Sequence, residues 1–116
     1  MQERRQNVRV RPAADYNIQV DFEDGLVKVE LSVLDAAVGG VALVVDELFA
    51  GATAGSFLKL GVTLPDHDRF ITSARLCYTQ GKARGRCGMH FSNLTDAQQS
   101  AMGKAVSELL ERGHSA

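Results

Sequence analysis

The chain has 116 residues, 45% of them apolar and 23% charged, with a formal net charge of −1 at pH 7. Those values describe one globular domain with a real core, and they exclude a disordered chain and a two-domain protein. Its longest stretch without a charged or strongly polar group, Ala36 to Val45, falls well short of the roughly 20 residues a membrane helix needs, so no span is expected. Two cysteines, Cys77 and Cys87, are too few for a disulfide-stapled secreted scaffold and read as reduced thiols. The N-terminus is charged from Glu3 onward and has no apolar stretch or cleavage site of a secretory signal, so a cytoplasmic location is expected.

Residues 1–12 set Arg4, Arg5, Arg9 and Arg11 against the single acid Glu3. Each guanidinium offers a permanently charged planar fork that fits phosphate or carboxylate oxygens two at a time. With Pro12 behind it and no apolar periodicity, the segment is expected to be a flexible, extended arm, residues 1–12, that folds over an anion on a domain formed by residues 13–116. A solvated basic tail is the plainer alternative.

Ile18, Val20 and Phe22 alternate with polar residues and predict a first strand, closed by the Asp24-Gly25 turn. Leu26 to Leu34 continues the alternation as one longer strand. Asp35 to Gly40 breaks the pattern as a glycine-bearing turn, and Val41 to Val45 resumes as a buried strand. Residues 46–56 read as a loop before Leu58, Leu60, Val62 and Leu64. Pro65-Asp66 turns the chain into Phe70, Thr72, Ala74, Leu76 and Tyr78, and a turn centred on Gly81 leads to Cys87, Met89 and Phe91. The period then changes: Ala101, Met102, Ala105, Val106, Leu109 and Leu110 mark an amphipathic helix, with Thr95 and Gln98 as a capping box and Gly113 as its C-terminal stop. The expected fold is all-β with one C-terminal helix, a six-stranded antiparallel barrel.

Arg5-x-x-x-Arg9, followed by Asp35-Ala36-Ala37-Val38-Gly39-Gly40, resembles the two marks of the PilZ domain, an RxxxR arm and a [D/N]xSxxG turn. The Gly88-Met89-His90-Phe91 strand end and the closing helix are similar too, so the likeness covers almost the whole chain. The resemblance implies a barrel that binds the bacterial second messenger cyclic di-GMP and performs no chemistry. Such domains pass ligand occupancy to an output protein acting in motility, biofilm formation or polysaccharide synthesis. The ligand-binding residues implied are Arg4, Arg5, Arg9, Asp35, Ala37 and Gly40. Arg5 and Arg9 would take phosphates or the O6/N7 edge of guanine, and Asp35 would accept from guanine N–H groups. Gly40 would let the backbone approach a base, and Arg4 goes with an intercalated ligand dimer. Ala37 departs from the pattern, because the motif's serine hydroxyl is missing; the alternative reading is a degenerate module that binds a protein and no nucleotide.

No cofactor or metal is expected: Cys77, Cys87 and His90 fall in one hairpin, but without C-x-x-C or H-x-x-x-H spacing. With a turn centred on Lys82 the two cysteines are expected to face each other across the strands. His67 and His114 lack a nucleophile or base partner, which argues against an enzyme. Lys82, Arg84 and Arg86 read as a solvated hairpin tip. The shortage of aromatic residues outside core positions and the slightly negative net charge argue against nucleic acid as the partner.

Overall fold

Where apolar residues recur at every second position the backbone is extended, and the computed structural model, which describes residues 8–24, 27–44, 55–80 and 86–116, contains seven such strands. They are β1 (Gln19–Asp24), β2 (Val27–Leu31), β3 (Val33–Ala37), β4 (Gly40–Val44), β5 (Phe57–Leu64), β6 (His67–Gln80) and β7 (Arg86–Phe91). All pairings are antiparallel, in the order β2-β1-β5-β6-β7-β4-β3. The two ends of this sheet are consecutive in the chain and separated only by Ser32, whose carbonyl accepts the Val44 N–H at 2.9 Å. The sheet therefore curls into a nearly closed barrel.

Six strands were expected and seven are found, because the run from Leu26 to Leu34 is two strands and not one. The chain leaves β1 and joins β4 at a corner on Ser32, and a register shift between Val33 and Asp35 completes the change of direction. Asp35 lies in β3 rather than in a turn; the turn itself is only Val38-Gly39. β6, at 14 residues, serves β5 with its first part and β7 with its second. A register shift between Leu76 and Tyr78 leaves Cys77 exposed while Cys87 is buried, so the two cysteines do not face each other as expected. The expected turns at Gly25, Gly81 and Lys82, and most of the 46–56 loop, lie outside the described residues.

The inward positions make one core from all strands and the helix: Ile18, Val20, Leu43, Leu60, Val62, Leu76, Met102 and Leu109 are fully buried. Helix α1 (Asp96–Glu111) starts as predicted. The Gln98 N–H donates to Thr95 Oγ1 at 3.1 Å and the Thr95 N–H donates to Gln98 Oε1 at 3.0 Å, which satisfies two of the helix's free N–H groups. Gly113 takes φ +84°, and the N–H groups of Gly113 and His114 donate to the carbonyls of Leu110 and Leu109, a Schellman ending. The helix lays Met102, Ala105, Val106 and Leu109 on the barrel and touches β3 and β5.

The barrel's outer wall is pinned by one bidentate ion pair. Arg69 donates through Nε and Nη2 to the two carboxylate oxygens of Asp21, at 3.0 and 2.6 Å. Asp21 pairs in register with Gly61, where any Cβ would overlap the Arg69 guanidinium. The glycine thus gives the arginine its lane across β5.

Candidate functional site

Val10 joins the two sequence motifs. Its side chain is fully buried in the core, and its backbone forms an antiparallel bridge with Ala36 through two hydrogen bonds of 2.9 and 2.8 Å. Side chains alternate along extended backbone, so with Val10 and Ala36 pointing inward their neighbours Arg9, Arg11, Asp35 and Ala37 point outward. The same bridge levels Arg9 with Ala37 and Arg11 with Asp35. Val10 also bridges Ser115 of the C-terminal tail; the Ala116 N–H donates to the Arg9 carbonyl at 3.0 Å and the Arg11 N–H to the His114 carbonyl at 2.7 Å. The last part of the arm is thus bridged to β3 at Val10 and tied down there by an apolar side chain that the basic composition of the segment conceals.

Arg9 reaches diagonally to Asp35, with Nε 2.9 Å from Oδ1. The arginine side chain is 40% exposed and the carboxylate 19%. Oδ1 itself is buried, and the contact is an ion pair without a hydrogen bond to that oxygen. A guanidinium and a carboxylate side by side suit a ligand that brings anionic oxygens to Arg9 and N–H donors to Asp35. Of the remaining expected site residues, Arg4 and Arg5 lie outside the described residues. Ala37 closes β3 and is 2% exposed.

Gly40 opens β4 and pairs with both Ala37 and His90. It does not have positive φ, and a Cβ there would overlap the Met89 carbonyl oxygen of β7. Close packing of two strand backbones is therefore a sufficient reason for glycine at this position. Sequence reading passed over Arg11, although alternation in an extended Arg9-Val10-Arg11 was signal enough to put both arginines on one face.

A cavity of about 840 Å³ lies elsewhere, along α1, with Val8, Val38, Val106 and Leu110 among its walls. Among the described residues its charged lining is Asp66, Lys104, Glu108 and Glu111. At its rim Arg112 contacts Asp15 at 2.7 Å and Glu108 at 3.0 Å and sits 5.0 Å from the Tyr16 ring centroid. Among the described residues no three His, Cys, Asp or Glu side chains gather as a metal site, and no helix is long and apolar enough to cross a membrane.

Solved structures share the fold. The PilZ domain of YcgR from Escherichia coli, solved with c-di-GMP, superposes with a TM-score of 0.70 at 12% identity, covering 90% of each chain. The MrkH–c-di-GMP complex of K. pneumoniae gives 0.72 at 14% identity, and the Bacillus subtilis inhibitor of motility, MotI/DgrA, 0.69 at 17%, each over 90% of this chain. The chain spans about half the length of these last two, 52% and 51%. No curated protein matches the chain in sequence. The PilZ domain model, in contrast, matches residues 3–108, nearly the full length, and the chain accordingly belongs to the PilZ domain family.

Proposed function

We propose that the chain is a cyclic di-GMP receptor domain, a binding module and not a catalyst, that reports second-messenger level to an output protein in motility, biofilm formation or polysaccharide synthesis in the cytoplasm. The observation that carries this reading is the Arg9–Asp35 contact: residues from two motifs far apart in sequence stand together on the outer face, one cationic and one anionic. Two of the similar structures, the YcgR PilZ domain and MrkH, hold c-di-GMP. In this reading Arg9 and Arg5 bind phosphate or the guanine O6/N7 edge, Asp35 accepts guanine N–H groups, and Arg4 adds a fork for a second, intercalated ligand. Gly40 and Ala37 form the edge of the site. Calorimetric titration with cyclic di-GMP tests it, with GTP and a short oligonucleotide as controls. Saturable binding of the dinucleotide alone is expected, with two ligands per chain if Arg4 acts as described; no binding at millimolar ligand overturns the reading.

The second reading is a PilZ module that contacts protein without nucleotide. Ala37 favours it, because the motif hydroxyl is absent. The same titration separates the two.

A further inference from the structure

Resting on that receptor reading, we propose that the ligand site continues past the turn onto β7 and β6, where His90 and Arg75 form a second limb that binds the phosphate or guanine edge farthest from Asp35. Gly40 pairs in register with His90, and His90 pairs on its other side with Arg75. Met89, Ala74 and Leu76 are core residues, so alternation turns His90 and Arg75 outward, onto the face that carries Asp35. The His90 ring rests against the motif turn: its Nε2 lies 3.8 Å from where a Cβ on Gly39 would stand. The backbone is fastened there too, with the Phe91 N–H donating to the Gly39 carbonyl at 2.8 Å.

Charge gives this row its meaning. Of the described arginines, Arg9, Arg69 and Arg112 each face a carboxylate, whereas the exposed Arg11, Arg75 and Arg86, and the exposed His90, have no ion-pair or side-chain hydrogen-bond partner among the described residues; of these, Arg75 and His90 lie in the row beside the motif turn. No Asp or Glu occurs in β5, in β7 or from Arg69 to the end of β6. Adjacent strands lie about 4.8 Å apart, so Arg75 stands roughly 10 Å from Gly40, a gap that an extended arginine side chain and a dinucleotide span between them. Cyclic di-GMP carries two phosphates and two guanine O6/N7 edges, four acceptor groups for which the receptor reading supplies only the Arg9 and Arg5 forks, since Asp35 serves guanine N–H groups. A guanidinium fork matches guanine O6/N7 or a phosphate, and an imidazole N–H donates to either.

The test is titration of the parent, Arg75→Ala, Arg75→Lys, His90→Ala and Lys59→Ala with cyclic di-GMP, with a melting curve for each. Lys59 is exposed on the same outer face one row farther from the turn and controls for loss of charge alone. Arg75→Ala is expected to weaken binding about tenfold or more, the loss of a charge-assisted contact. His90→Ala should weaken it severalfold and Lys59→Ala by less than about twofold. Arg75→Lys should not restore it, because the fork is gone. Arg75→Ala and His90→Ala binding as tightly as the parent, or losing no more than Lys59→Ala, would overturn the second limb and leave the receptor reading standing. A parent that binds nothing overturns both.

Discussion

A methyl group sits where the motif turn would carry a hydroxyl, and its burial changes what Ala37→Ser should do. At 2% exposure a new hydroxyl finds little water, and without a protein partner it costs about 1–3 kcal/mol. The ligand-free variant should therefore melt below the parent. If the hydroxyl reaches cyclic di-GMP it should still gain about 1 kcal/mol in binding, about fivefold by calorimetry. Unchanged melting together with unchanged affinity would show the hydroxyl bonded to nearby backbone and irrelevant to the ligand. Arg9→Ala removes a charge-assisted contact and should weaken binding by about 1.5–3 kcal/mol; parent-like affinity would exclude Arg9 from the site. Gly40→Ala is a folding experiment first, because the added carbon meets the Met89 carbonyl, and overpacking of that kind costs about 1–3 kcal/mol by thermal or denaturant unfolding. Arg9 and Asp35 were legible because residue type and spacing together made a pattern. The strand contact behind Gly40 was not, since nothing local to that residue records Met89.

At the scale of elements, legibility followed how local the cause was. Both ends of α1 are fixed by side chains and backbone within a few residues, and the capping box and the glycine stop stand where the pattern placed them. Thr95→Ala should cost about 1 kcal/mol of stability, seen as an earlier denaturant midpoint with an unchanged slope. A midpoint equal to the parent's would mean that water replaces the cap. The corner at Ser32 is the opposite case. Val27, Val29, Leu31 and Val33 keep their alternation straight through it, without glycine or proline, because a strand that changes partners still has one face toward the same core. Only the change of partner, from β1 for β2 to β4 for β3, marks the break. The β6 bulge at Cys77 was hidden for the same reason, and with it the reversed environments of the two cysteines.

At the scale of the whole molecule, the two ends of the described chain meet over β3, so the arm that bears Arg9 is positioned by the C-terminal tail. Arg9 and Arg11 flank Val10, and the tail holds both through the Ala116-to-Arg9 and Arg11-to-His114 hydrogen bonds. Each such bond contributes about 0.5–1.5 kcal/mol net, and Val10 adds its burial on the other side. Ending the chain after Gly113 removes both bonds without touching a residue of the candidate site. It should speed amide exchange at Arg11, lower the melting temperature and weaken cyclic di-GMP binding severalfold by loosening Arg9. Ending it after His114 keeps the Arg11 bond and should give an intermediate result. Were both truncations to melt earlier yet bind as tightly as the parent, Arg9 would be held by Val10 and Asp35 alone. Graded losses in both measurements would instead show that helix α1, through the tail that follows it, sets the geometry of the ligand arm.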